Sequence, residues 1–142
     1  MRAPIVPVRV LVVIAVIEGI GLIGCGVFDL IETMRVGVTG PEDVSNGPAV
    51  AVLIAIQVVF GAGLLWVARG WWRSAPWARS PFLVAQLLLV LVGYDLAQGT
   101  SAAEKAVGFV AIAVAGVGIV VTFLPAVRRA LDPAEDPPLP LG

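Results

Sequence analysis

Histidine is absent from the 142 residues, cysteine and tyrosine occur once each, and the only lysine is Lys105. Without histidine and with a single cysteine, the usual zinc-ligand spacings and any internal disulfide framework are ruled out. Charged residues are also scarce, at 13% with a formal net charge of -1, so the basic footprint of a nucleic-acid binder is missing. There is no phosphate-binding glycine loop and no nucleophile elbow, and the few Ser and Thr lie in breaks or near helix ends. The expectation is a protein that is not an enzyme, with no cofactor and no metal.

What the chain has in abundance is apolar surface. It is 59% hydrophobic with a mean hydropathy of +1.01, and the apolar residues come in long blocks. A soluble core of this size cannot hide that much apolar area. The composition therefore predicts an all-α, polytopic membrane protein built as a four-transmembrane-helix bundle whose first partner is the lipid bilayer. Eight arginines against one lysine, with much Ala, Val, Gly and Pro, point to a GC-rich coding genome.

The blocks predict helices over about 8–34, 48–68, 82–98 and 105–124, in one membrane domain of residues 1–131. Turn formers separate the first pair: Gly37, Gly40, Pro41, Glu42, Asp43 and Asn46. Pro48 suits the first turn of the second helix. The tail, residues 132–142 (DPAEDPPLPLG), replaces helix formers with proline and is expected to be a disordered cytoplasmic end. Basic residues set the orientation. With both termini inside, Arg2, Arg9, Arg69, Arg73, Arg79, Arg128 and Arg129 are cytoplasmic, and only Arg35 and Lys105 lie outside.

The first span carries acids where a membrane helix ordinarily has none. Glu18, Gly21, Cys25, Asp29 and Glu32 recur at spacings of three and four, which puts them on one stripe of a helix. Counted from Arg9, Glu18 lies roughly 13 Å into a hydrocarbon layer about 30 Å thick. Counted from Pro48, Gln57 reaches a similar depth from the other side, and Gln86 lies in the cytoplasmic half of the third span. Glu18, Gln57 and Gln86 thus form the candidate intramembrane polar site, in which a neutral Glu18 would hydrogen-bond Gln57 or a backbone carbonyl. Asp29, Glu32 and Asp95 form a candidate acidic cluster on the outer face. Phe28-Asp29-Leu30 is echoed by Tyr94-Asp95-Leu96, which suggests a tandem two-plus-two hairpin plan.

Two further features concern packing and anchoring. Gly108, Ala111, Ala115 and Gly118 form a small-residue stripe that lets a neighbouring backbone come close. Trp71, Trp72, Arg73, Trp77 and Arg79 read as an interfacial anchor of aromatic rings and guanidiniums. Residues 22–25, LIGC, have the form of a lipoprotein signal before its cysteine, but Glu18 interrupts the apolar run. Cys25 is therefore read as a small packing residue.

The stretch PFLVAQLLLVLVGYDLAQG, followed by a polar break and a helix closing with TFLPAVRRAL, resembles the C-terminal half of small uncharacterised four-span integral membrane proteins of actinobacteria. Gln86, Gly93, Gln98, Gly99 and Phe123-Leu124-Pro125 carry the likeness, mainly over residues 81–131. It implies topology and a bacterial cytoplasmic membrane, and no biochemistry. Four spans with an early glutamate also resemble small multidrug-resistance exporters, although the third helix here lacks their aromatic lining. The expected function is an accessory or structural subunit acting through helix contacts, with a membrane-protein partner or a homo-oligomer. The alternative is a small proton- or cation-coupled transporter or channel-like oligomer that uses Glu18.

Overall fold

The computed structural model describes residues 6–37 and 46–131. Among them the order is α1 (Val6–Val36), α2 (Gly47–Trp72), a 3-10 turn (Pro76–Ala78), α3 (Arg79–Ala97), α4 (Ala102–Thr122) and α5 (Pro125–Leu131), with no strand. The fold is all-α, and α1 to α4 are each long and apolar enough to cross a membrane. The expectations for Glu42, Asp43 and the tail 132–142 lie outside the described residues.

Local chemistry explains why α1 and α2 outrun their apolar blocks and why α3 and α4 start ahead of theirs. At the start of α1, Pro7 lies in the first turn, where its missing N–H costs no hydrogen bond. The helix ends on Gly37, whose φ of +81° is one that side chains disfavour and whose N–H donates to the Thr33 carbonyl at 3.0 Å. Asn46 caps α2 by accepting from the Ala49 N–H at 2.9 Å. Ser101 caps α4. Its hydroxyl accepts from the Glu104 N–H at 3.1 Å while the Glu104 carboxylate accepts from the Ser101 N–H at 3.0 Å. This reciprocal box starts α4 at Ala102 rather than near Lys105. Helix α3 likewise starts early, at Arg79, because the turn from Pro76 leads directly into it.

The chain divides into two compact units, one of Met1–Ile14 with Val67–Gly142 and the other of Ala15–Trp66. In the first, α3 and α4 pack as an antiparallel hairpin. Gly108 lies so close to α3 that a Cβ there would strike the backbone of Gly93 and Ala97. The apolar core of this unit holds Val8, Leu11, Trp71, Phe82 and Val127, all fully buried. Trp71 and Phe82 meet edge to face, with ring centroids 5.8 Å apart and planes at 87°.

In the second unit the α1 and α2 backbones touch through glycine. A Cβ on Gly19 would lie 2.8 Å from the Gly61 carbonyl oxygen, and one on Gly61 would lie 2.7 Å from that of Gly19. Ala15, Gly19 and Gly26 are the buried residues of α1 here. Gly21 and Cys25 of the expected stripe are exposed, and Gly21 has open space where a Cβ would be. The packed face is thus turned by about a quarter of a circle from the acidic stripe, since successive helical residues are about 100° apart.

Candidate functional site: polar groups inside the spans

In the second unit, the Gly19 and Gly61 contact fixes the register of the antiparallel pair. At that register Gly26 faces Gln57, whose Oε1 is 3.2 Å from the place of a Gly26 Cβ. Gln57 therefore lies about eight residues, or roughly 12 Å, along α1 from Glu18. The partner expected for Glu18 is taken elsewhere: Gln57 Nε2 donates to Asp29 Oδ2 at 2.9 Å. The depth count took the two helices from opposite surfaces, whereas the register set by Gly19 and Gly61 places Gln57 beside Gly26. Thr33 adds a second bond nearby, its hydroxyl donating to the Asp29 carbonyl at 2.7 Å. Glu18 itself is half-buried beside Gly19, with one carboxyl oxygen enclosed.

In the first unit, Gln86 is fully buried on α3. Its Oε1 lies 3.0 Å from where a Cβ on Gly118 would be, so the glycine makes room for the amide. One turn further along α4, Thr122 is buried with its hydroxyl donating to the Gly118 carbonyl at 2.8 Å. The small-residue stripe of α4 faces α3: Gly108, Ala115 and Gly118 are buried and Ala111 is half-buried. Gly93 completes this contact from the α3 side, since a Cβ there would come within 2.9 Å of the Gly108 carbonyl oxygen.

The acidic residues of the outer cluster have unlike surroundings. Asp29 is half-buried and bonded to Gln57, while Glu32 and Asp95 are exposed. Among the described residues no group of three or more His, Cys, Asp or Glu is placed to hold a metal ion. The echo between Phe28-Asp29 and Tyr94-Asp95 therefore does not extend to the use made of the two carboxylates.

The anchor divides in the same way. Trp71 belongs to the core, at 0% exposure, whereas Trp72 and Trp77 are 58% and 49% exposed and remain available to an interface. Arg73 is exposed, and the Arg79 guanidinium lies over the Phe123 ring, 5.0 Å from its centroid. The Trp77 ring packs where a Cβ on Gly70 would be, which ties the turn after α2 to the helix it leaves.

Sequence reasoning missed the Gly19 and Gly61 contact, α5, and the face of α1 that packs. The signals were Ala15, Gly19 and Gly26 at spacings of four and seven, and Val127 with Leu131 at a spacing of four. In the second unit an open apolar groove, lined by Leu30, Thr33, Val50, Ile54 and Val58, offers no free polar group, since the Thr33 hydroxyl is turned into its own helix. Comparison of the chain with protein-family models, curated proteins and solved structures finds no match.

Proposed function

We propose that this is a multi-pass protein of a bacterial, actinobacterial cytoplasmic membrane that works as an accessory or structural subunit through helix contacts. Both termini lie in the cytoplasm, and its partner is another membrane protein or further copies of itself. The observation that carries this reading is the use made of polar and small residues within the spans. Gln57 joins α2 to α1 through Asp29, and glycine pairs bring α1 to α2 and α3 to α4 at backbone contact. In lipid, close packing and interhelical hydrogen bonds are what hold helices together.

Small residues left exposed on the spans support a partner. Gly21, Gly24 and Cys25 of α1 and Gly63 of α2 are exposed, and the three glycines have no neighbour within 4 Å of a would-be Cβ. Such positions suit a helix from another chain. The test is the mass of the protein extracted from its own membrane in native lipid discs. The reading expects a multiple of the 14.7 kDa chain or a stoichiometric complex with a second membrane protein; a lone chain would contradict it.

A second reading rests on Glu18, a half-buried carboxyl well inside a span. Intramembrane acids commonly serve proton or cation pathways, and this reading makes the protein a small coupled transporter.

A further inference from the structure

The first unit has an uneven distribution of charge. Arg69 and Arg73 lie near the end of α2, Arg79 opens α3, and Arg128 and Arg129 stand on α5. The fold gathers these residues at one end of the hairpin, because α3 begins where α4 ends, the 3-10 turn packs on α3, and α5 packs on α4. The other end of the same hairpin carries Asp95 and Glu104 with a single cation, Lys105. Among the described residues, none of Arg69, Arg73, Arg128 and Arg129 is held in an ion pair.

Helix α5 shows how this end is presented. Val127 and Leu131 are 0% and 9% exposed and fix the helix to the unit's core, while Arg128 and Arg129 are exposed. Trp72 and Trp77, both exposed, stand in the same region. The 19 residues of α3 rise about 28 Å, close to the roughly 30 Å of a bilayer's hydrocarbon core. With α3 across the bilayer, the arginine end falls at headgroup depth.

We propose that this end of the unit is a binding surface for anionic phospholipid headgroups. Guanidinium forks match phosphodiester oxygens with paired hydrogen bonds. Arg79, laid over the Phe123 ring, has less side-chain freedom to lose on binding. Charge complementarity favours lipid: several guanidiniums without a described counter-ion face the layer where phosphates lie, and each multiplies binding to an anionic surface roughly fivefold. The proposal rests on α1 to α4 spanning the bilayer and is independent of the subunit role.

The experiment uses the full chain in bilayers of equal phosphatidylcholine and phosphatidylglycerol, with bromine placed near the headgroup end of the chains of one lipid and then of the other. With the exposed Trp66 of the second unit replaced by Phe in every sample and Trp71 buried, tryptophan fluorescence reports which lipid collects beside Trp72 and Trp77. The expected result is an enrichment of phosphatidylglycerol of about threefold or more that falls towards one at 1 M salt, where the screening length is about 3 Å. The paired substitution R73Q/R128Q lowers the enrichment, and R35Q, on the second unit, leaves it unchanged. Equal quenching by the two lipids in the wild type overturns the proposal and leaves the arginine end to an acidic protein partner. Enrichment that persists in R73Q/R128Q overturns it for these residues. Absence of quenching by either lipid would overturn the spanning reading as well.

Discussion

Gly19 and Gly61 meet reciprocally, each placed so that a Cβ on one would stand less than 3 Å from the carbonyl oxygen of the other. Backbone opposes backbone here, so no side chain can swing aside to accommodate a larger residue. Gly61→Leu is expected to lower the thermal midpoint in lipid or detergent, with a cost of about 1–3 kcal/mol or more typical of overpacking. Gly63→Leu, two residues away in open space, is expected to be tolerated. Equal loss at the two positions would show that this contact does not hold α1 to α2.

The Asp29 and Gln57 bond is open to a double-substitution cycle. Asp29→Asn keeps an acceptor for the Gln57 amide and is expected to fold as the wild type does, whereas Asp29→Leu and Gln57→Leu each destabilise. The coupling between the two leucine changes is expected at about 0.6–1.7 kcal/mol, the range for hydrogen bonds between membrane helices. Additive effects would remove the bond from the packing account.

On the α3 and α4 hairpin, Gly108→Ala drives a Cβ into the backbone of Gly93 and Ala97, while Gly116→Ala meets nothing within 4 Å. The first is expected to lower stability and the second to be neutral. Ala115→Leu and Val117→Leu repeat the contrast with larger volumes, because Ala115 is fully buried and Val117 is 51% exposed. Thermal unfolding followed by helicity is sufficient to rank the four.

Much of the fold was legible because each apolar block comes close to the length of about 20 residues that a bilayer requires. The helix ends were legible in principle, through Ser101 with Glu104 and through Asn46, but hydropathy alone passes over such caps. The packed face of α1 was harder to read. Lipid is as apolar as a protein interior, so hydrophobic periodicity does not mark the buried side of a span. The acids at positions 18, 29 and 32 drew attention to one stripe, while small size at 15, 19 and 26 determined the packed one. Trp71 and Trp72 are adjacent and chemically alike; only the fold, by turning the first onto Phe82, separates a core residue from an exposed one.

The proposed orientation is tested by single cysteines at Ser101 and Ser74 after the exposed Cys25 has been replaced. Ser101 lies at the end of the first unit with few basic residues and Ser74 at the arginine end. An impermeant thiol reagent is expected to label Ser101→Cys in intact cells and Ser74→Cys only after permeabilisation. The reverse pattern would invert the topology.

The most direct measurement compares wild type and Glu18→Gln in two respects, association in native lipid discs and proton flux in liposomes containing a pH dye under an imposed potential. Glutamine keeps the shape and hydrogen-bonding capacity of glutamic acid but cannot exchange a proton. If the polar groups of the spans hold helices together, Glu18→Gln keeps the wild-type mass and midpoint, Glu18→Leu loses both, and wild-type liposomes show no flux above empty ones. A wild-type proton flux that Glu18→Gln abolishes while folding and mass remain intact would contradict the account and establish Glu18 as a coupling site.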